Sequence, residues 1–175
     1  MRREQLEHII RAAADIADDT DIVIIGSQAI LGEHPDAPDE LLVSNEADVY
    51  PRNRPERADL IDGTIGELSP FHDTYGYYAQ GVAETTAILP GGWKERLVPV
   101  CNDNTRGATG WCLETHDLVV SKLIPWRDKD QRFVRAAIRH GLVDPRTLRD
   151  RLDGTEVSPE LDETVRRRLE DLLSK

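Results

Sequence analysis

Between residues 3 and 18 the apolar side chains fall at Leu6, Ile9, Ile10, Ala13 and Ile16, with charged residues between them. That spacing lays one apolar stripe along a helix. Asp18-Asp19-Thr20-Asp21 ends it, and the pattern changes to an unbroken run, Ile22-Val23-Ile24-Ile25. Consecutive branched aliphatics predict a strand covered on both faces. Gly26 turns the chain, Ser27 to Leu31 opens a short helix, and Gly32 to Asp39, with Pro35 and Pro38, is a loop. Glu40 to Val43 leads into a second strand, Ala47 to Tyr50, which Pro51 closes. Pro55 to Leu68 reads as a helix, with Gly63 or Gly66 as its point of interruption. Tyr77–Val82, Thr85–Leu89, Leu97–Cys101 and Trp111–Leu113 read as short strands, separated by the Pro90-Gly91-Gly92 turn and a polar loop at 102–110.

From Thr115 onward the period is helical. Thr115 is placed to cap a helix carrying Leu118, Val119, Val120, Leu123 and Ile124, which Pro125 breaks. A second helix covers 129–139, with Phe133, Val134 and Ile138 as its stripe and Gly141 as its stop. Asp144-Pro145 and Ser158-Pro159 each set an N-cap before a proline at the first helical position. They predict helices over 146–152 and 160–173. The expected fold is α/β (α+β): an α/β core over 1–114 and a helical region over 115–175, sharing one core or forming two subdomains.

Composition narrows the function classes. With 175 residues the chain can bury a real core, and 39% hydrophobic against 31% charged residues is a globular balance. No apolar run approaches the ~18 residues that a membrane helix needs. The charged start, MRREQLEHIIRAAADIADD, has no apolar signal core, so a cytoplasmic protein is expected. Cys101 and Cys112 have no metal-ligand spacing and are expected to be ordinary thiols. The net charge of −11 removes bulk attraction to nucleic acid. A polyanion would have to meet a local basic patch, for which Arg52, Arg54 and Arg57, the Lys122 to Arg139 segment, and Arg166 to Arg168 are candidates.

The chemistry concentrates in IVIIGSQAILGEHPDAPDELLVSNEADVY, residues 22–50. A strand ending in Gly26-Ser27 and entering a helix offers backbone N–H groups and a hydroxyl to a phosphate. On the second strand Glu46 and Asp48 are two apart, so both face one side while Ala47 and Val49 face the other. Adjacent carboxylates repel, so either the strand is a half-exposed edge with its acids in solvent, or partners or a cation keep both ionised. Mg²⁺ suits such a pair, because one or two carboxylates hold it while substrate phosphates complete its octahedron. Several other residues admit two readings. His72 and Tyr75, Tyr77 and Tyr78 are either packed side chains or contacts to a base. Trp126 is either a helix-packing anchor or a neighbour of the phosphate site, and Glu33 to Glu40 is either a solvated loop or a lid.

Strand–Gly-Ser–helix followed by a strand with an acid-x-acid pair resembles the signature of the nucleotidyltransferase superfamily, the polymerase-β-like fold. SKLIPWRDKD, residues 121–130, resembles the helical lysine–aspartate stretch of uncharacterised nucleotidyltransferases related to abortive-infection, toxin-type enzymes. GSQAILG, SNEADVYP, IGELSPFHDTYGYY and LPGGWKERLVPV are similar to the bacterial family DUF6036 in that group. The resemblance spans roughly residues 20–150 and implies a mixed sheet flanked by helices. It also implies Mg²⁺ as cofactor and a nucleoside triphosphate as substrate. In that picture Gly26 and Ser27 hold phosphates, Glu46 and Asp48 bind Mg²⁺, and Lys122, with Arg127 and Lys129, reaches the triphosphate. Asp130 positions those cations or accepts a proton. A nucleoside monophosphate would pass to a hydroxyl on RNA, protein or a small molecule, and a toxin-type enzyme would have an antitoxin partner.

Three departures from the superfamily pattern stand out. The pair is Glu-x-Asp where Asp-x-Asp is usual, and the gap from Ser27 to Glu46 is longer than the norm. The third carboxylate is not obvious: Glu84 is the first candidate as a metal ligand, ahead of Glu67 and Asp103. These departures keep a second reading open, a catalytically silent domain that binds a nucleotide or a partner protein.

Overall fold

A computed structural model describes residues 1–174. The aliphatic run forms strand β1, Asp21–Ile24, the middle of a five-stranded sheet ordered β3-β2-β1-β5-β4. Its neighbours are β2 (Glu46–Pro51), antiparallel, and β5 (Thr109–Cys112), parallel. β3 (Tyr78–Gly81) runs parallel to β2, and β4 (Val98–Val100) antiparallel to β5, so the sheet is mixed. A central strand is covered on both faces, and Ile22, Val23 and Ile24 are accordingly almost without exposure.

Helix α1 (Arg3–Ala17) buries Leu6, Ile9, Ile10 and Ala13 on the predicted stripe. Each large aliphatic there contributes about 1.5–3 kcal/mol of transfer free energy. α1 packs on α2 (Ala58–Ile65) and on the sheet. Gly81 is required where α2 meets β3, since a Cβ there would stand 1.9 Å from the Ala58 carbonyl oxygen. Helix α4 (Thr115–Leu123) packs against the turn that follows β1 and carries α5 (Asp128–Arg139), α6 (Pro145–Asp153) and α7 (Pro159–Leu173). One hydrophobic core runs from Leu6 through the sheet to Leu148 and Leu169. The prolines at the starts of α6 and α7 follow side-chain caps from Asp144 and Ser158, as their dipeptides predict.

Several elements differ from the sequence expectation. The helix over 55–68 begins as a separate 3₁₀ turn at Pro55–Arg57 before α2, while its interruption falls at Gly66, one of the two glycines expected, whose N–H donates to the Asp62 carbonyl at 3.0 Å. A further helix, α3 (Pro70–Tyr75), follows, with Ser69 Oγ accepting the His72 N–H at 3.2 Å. Thr85–Leu89 is not a strand. Glu84–Thr86 form a 3₁₀ turn, and Thr86, Ala87 and Ile88 face a cleft instead of a neighbouring strand. The cap of α4 is Glu114, whose carboxylate accepts the Asp117 N–H at 3.2 Å, and Thr115 is the first helical residue. Both cysteines are free thiols, Cys112 buried and Cys101 exposed. Among the described residues no helix is long and apolar enough to cross a membrane.

Candidate functional site

β1 and β2 place the Gly-Ser turn against the acid-x-acid strand. Ile24 pairs with Val49, and one residue on, the Ile25 N–H donates to the Asp48 carbonyl at 3.1 Å. Gly26 then passes so close to Asp48 that a Cβ on it would stand 1.8 Å from Oδ2. Glycine here makes room for a carboxylate. Along β2, Ala47 and Val49 are fully buried while Glu46 and Asp48 remain partly open. The period-2 alternation of the strand thus puts both acids on the cleft side.

The pair is electrostatically unfinished. Burial, then the hydrogen bond that a protonated Asp48 donates to the Glu46 carboxylate and the repulsion by that carboxylate, push the Asp48 carboxyl up to about 6, against the partial relief of Lys122 and Lys129. Tyr78, paired with Glu46 in the β2–β3 register, donates its hydroxyl to Glu46 Oε2 at 3.2 Å. Burial and that neighbour push the phenol up to about 12. Ser44 Oγ accepts the Glu46 N–H at 3.1 Å, which steadies the start of the strand.

The cations come from the other side, on α4 and the start of α5. Lys122 is largely buried, and burial pushes its ammonium down while Asp130 and Asp48 support the charge. It lies 3.8 Å from Asp130 Oδ1 and over the Phe133 ring, 4.8 Å from the centroid. Asp130 is fully buried and accepts both the Arg127 backbone N–H at 3.1 Å and Arg127 Nε at 2.8 Å. Both its oxygens face cations, Oδ2 the Arg127 Nε and Oδ1 the Lys122 ammonium. The hydrogen bond from Arg127 Nε to Asp130 raises the guanidinium further.

These groups line two cavities that meet at Glu46, Asp48, Lys122, Arg127 and Lys129. One, of about 350 Å³, adds Ser27, Ser44, Arg132 and Phe133, and the other, of about 370 Å³, adds Gly26, Gln80, Thr86 and Asp130. Ser27, Glu46, Asp48, Lys122, Arg127, Lys129 and Asp130 therefore all reach one cleft. The element that Ser27 opens is a five-residue 3₁₀ helix, Ser27–Leu31, too short for a macrodipole of consequence. Any phosphate there relies on the hydroxyl and on the lysine and arginine side chains.

Glu84 does not join the pair. Its carboxylate is bound to Lys94 Nζ at 2.7 Å, beside the Tyr50 hydroxyl at 3.5 Å. Among the described residues no three His, Cys, Asp or Glu side chains stand close enough to share a metal ion. Tyr77 bonds His8 Nδ1 at 2.8 Å inside a cluster with Phe71 and Tyr75, away from the cleft. His72 accepts the Leu68 N–H at 3.1 Å and packs against the Tyr78 ring, tilted by 47°. Arg54 and Arg57 pair with Asp18, and Arg52 lies over the Trp111 ring, so they form no groove with the Lys122 segment. Trp126 packs against Arg168, whose guanidinium also donates to the Leu123 and Ile124 carbonyls that end α4. Sequence reasoning missed Ser44 and Gln80 as cleft residues, and saw in Phe133 only a core position. Phe133 standing four residues from Lys129 on one helix face was the available signal.

A mixed sheet whose Gly-Ser turn and acid-x-acid strand face a lysine-bearing helix defines a nucleotidyltransferase-type domain. Residues 4–173 match the family described as "Nucleotidyltransferase of unknown function (DUF6036)", and the chain belongs to that family. No curated protein and no solved structure gives a significant match.

Proposed function

We propose that the protein is a divalent-metal-dependent nucleotidyltransferase that moves a nucleoside monophosphate from an NTP to an acceptor hydroxyl and releases pyrophosphate. The observation that carries this reading is the convergence of Ser27, the Glu46–Asp48 pair and the basic side chains of Lys122, Arg127, Lys129 and Arg132 on one cleft. The donor set fits a hard ion. Two carboxyls forced together, one of them pushed up to about 6, are relieved by a dication, and Gly26 leaves the space in which Asp48 stands. Mg²⁺ held by Glu46 and Asp48 would supply charge neutralisation and alignment of the phosphates. Among the described residues Glu46 and Asp48 are the only carboxylates placed to hold it, and substrate phosphate oxygens would supply further ligands.

The chain's own residues do the rest. Lys122, Arg127 and Lys129 draw the triphosphate to the acid pair, and Asp130 holds two of those cations in place. Charge that builds on the leaving pyrophosphate in the transition state is stabilised by these fixed cations, which need no reorganisation. The acceptor oxygen bonds to the α-phosphorus as the bond to the pyrophosphate oxygen breaks. The acceptor proton passes to a carboxylate oxygen of the Glu46–Asp48 pair. Tyr78 orients Glu46 by its hydrogen bond.

The two-carboxylate count favours a second reading, a domain that binds nucleotide without turning it over. Incubation with Mg²⁺, α-phosphate-labelled NTPs and a cell extract separates the two. Label transfer that vanishes in Asp48→Ala supports the enzyme. NTP binding with no transfer supports the silent domain.

A further inference from the structure

Carboxylates are not the only protein ligands of a hard cation, since the carbonyl oxygens of Gln and Asn side chains serve as well. The sheet sets one such group beside the acid pair. β3 runs parallel to β2 with Asp48 paired to Gln80, as Glu46 is paired to Tyr78. Between them Ala47 is paired to Ala79, and both alanines are fully buried on the core face. The period-2 alternation of the two strands therefore puts Tyr78 and Gln80 on the cleft face with the two acids. Gln80 lines the cleft together with Gly26, Glu46 and Asp48. Neighbouring strands lie about 4.8 Å apart, so the Gln80 side chain starts one strand spacing from that of Asp48. Other polar groups nearby are committed: Tyr78 to Glu46, Glu84 to Lys94, and Asp130 to Arg127.

We infer that the amide oxygen of Gln80 is a third protein ligand of the cation proposed at Glu46 and Asp48. The inference rests on the metal-dependent nucleotidyltransferase reading. An amide suits this position electrostatically. A third carboxylate would add repulsion to a pair already forced together, whereas an amide presents an oxygen and no net charge. Two carboxylates and one amide carry two negative charges, which match one dication and leave none for a second. Affinity for such ions follows the number of charged ligands, so this set holds its ion less tightly than three carboxylates would. The phosphate oxygens of the nucleotide make up the difference, and ion and nucleotide bind together.

Gln80 is exposed on the edge strand of the sheet, so its replacement leaves the core untouched. Mn²⁺ is titrated by electron paramagnetic resonance into the native protein, Gln80→Ala, Gln80→Glu and Asp48→Asn, each saturated with α,β-methylene analogues of the four NTPs. Binding about tenfold weaker in Gln80→Ala and about tenfold tighter in Gln80→Glu, with the melt of metal-free Gln80→Ala unchanged, supports the ligand. Weaker binding in both variants means that Gln80 only shapes the strand, and overturns the inference. Native Mn²⁺ affinity in Gln80→Ala with a loss of analogue affinity also overturns it, because the amide then contacts the nucleotide and not the ion. In either case loss of Mn²⁺ from Asp48→Asn leaves the metal-dependent reading standing. Equal Mn²⁺ affinity in all four proteins sinks that reading too.

Discussion

Two acidic centres withdrawn from solvent in this molecule meet opposite fates. At the start of α4, Asp117 is fully buried and receives Arg96 through Nε at 2.8 Å and Nη2 at 3.0 Å, with Arg151 Nε at 3.1 Å from the other side. On β2, Asp48 has a second carboxyl beside it, and the nearest cations are shared with Asp130. Burial pushes both aspartates up, but only at Asp48 does a neighbouring acid add to the shift as its next-largest cause. The first centre has its counter-charges built in and clamps the 3₁₀ turn at Trp93–Arg96, α4 and α6 together. The second leaves a demand for positive charge unmet in an open cleft. Unmet demand of this kind marks a site that binds something.

The comparison can be broken by mutation. Asp117→Ala strands two arginines and is expected to cost about 3–5 kcal/mol of stability, read as a lowered denaturation midpoint. Asp48→Asn is expected to do the opposite in metal-free buffer near pH 7, gaining about 1–2 kcal/mol. The sign follows from the raised carboxyl. The native state keeps a proton up to about 6 that the unfolded chain releases near 3.8, so stability falls as pH rises through that window and is level above it. Midpoints measured from pH 3 to 8 should show that fall in the native sequence and lose it in Asp48→Asn. A destabilised Asp48→Asn at neutral pH would place Asp48 in the same class as Asp117.

Gly26→Ala tests the geometry rather than the charge. Its Cβ would stand 1.8 Å from Asp48 Oδ2, so the carboxylate must move. Transfer activity should fall about 100-fold, the scale expected when reacting groups are misplaced by about an ångström. Folding should suffer less, which circular dichroism melts will show. The smallest effect belongs to Tyr78→Phe. Losing one hydrogen bond to Glu46 should cost about 0.5–1.5 kcal/mol of stability, seen as a slightly lowered melt, together with a few-fold loss in kcat/KM.

Much of the fold was legible because the chain states it locally. The stripe of α1, the aliphatic run of β1 and the Asp-Pro and Ser-Pro starts of α6 and α7 each carry their own signal. Ser69-Pro70 carries the same signal for α3, and it was hidden by a six-residue length and by the apparent continuity of 55–68. Thr85–Leu89 misleads for another reason: its short apolar run walls a cleft, and a run of apolar residues does not say what it meets. At the site, the common facing of Glu46 and Asp48 follows from strand geometry alone. The close pass of Gly26 by Asp48, and the hold of Asp130 on Lys122 and Arg127, depend on how β1, α4 and α5 cross in space. Glu84 lies near β3 in sequence, but its 3₁₀ turn delivers it to Lys94 and away from the pair.

The central claim is that Glu46 and Asp48 form a cation site, and Mn²⁺ reports on it directly. Titrated by electron paramagnetic resonance in the presence of a non-hydrolysable NTP analogue, the native protein should bind the ion tightly at this pair. Asp48→Asn, folded and at least as stable, should lose that binding. Equal Mn²⁺ affinity in the two proteins would contradict the account.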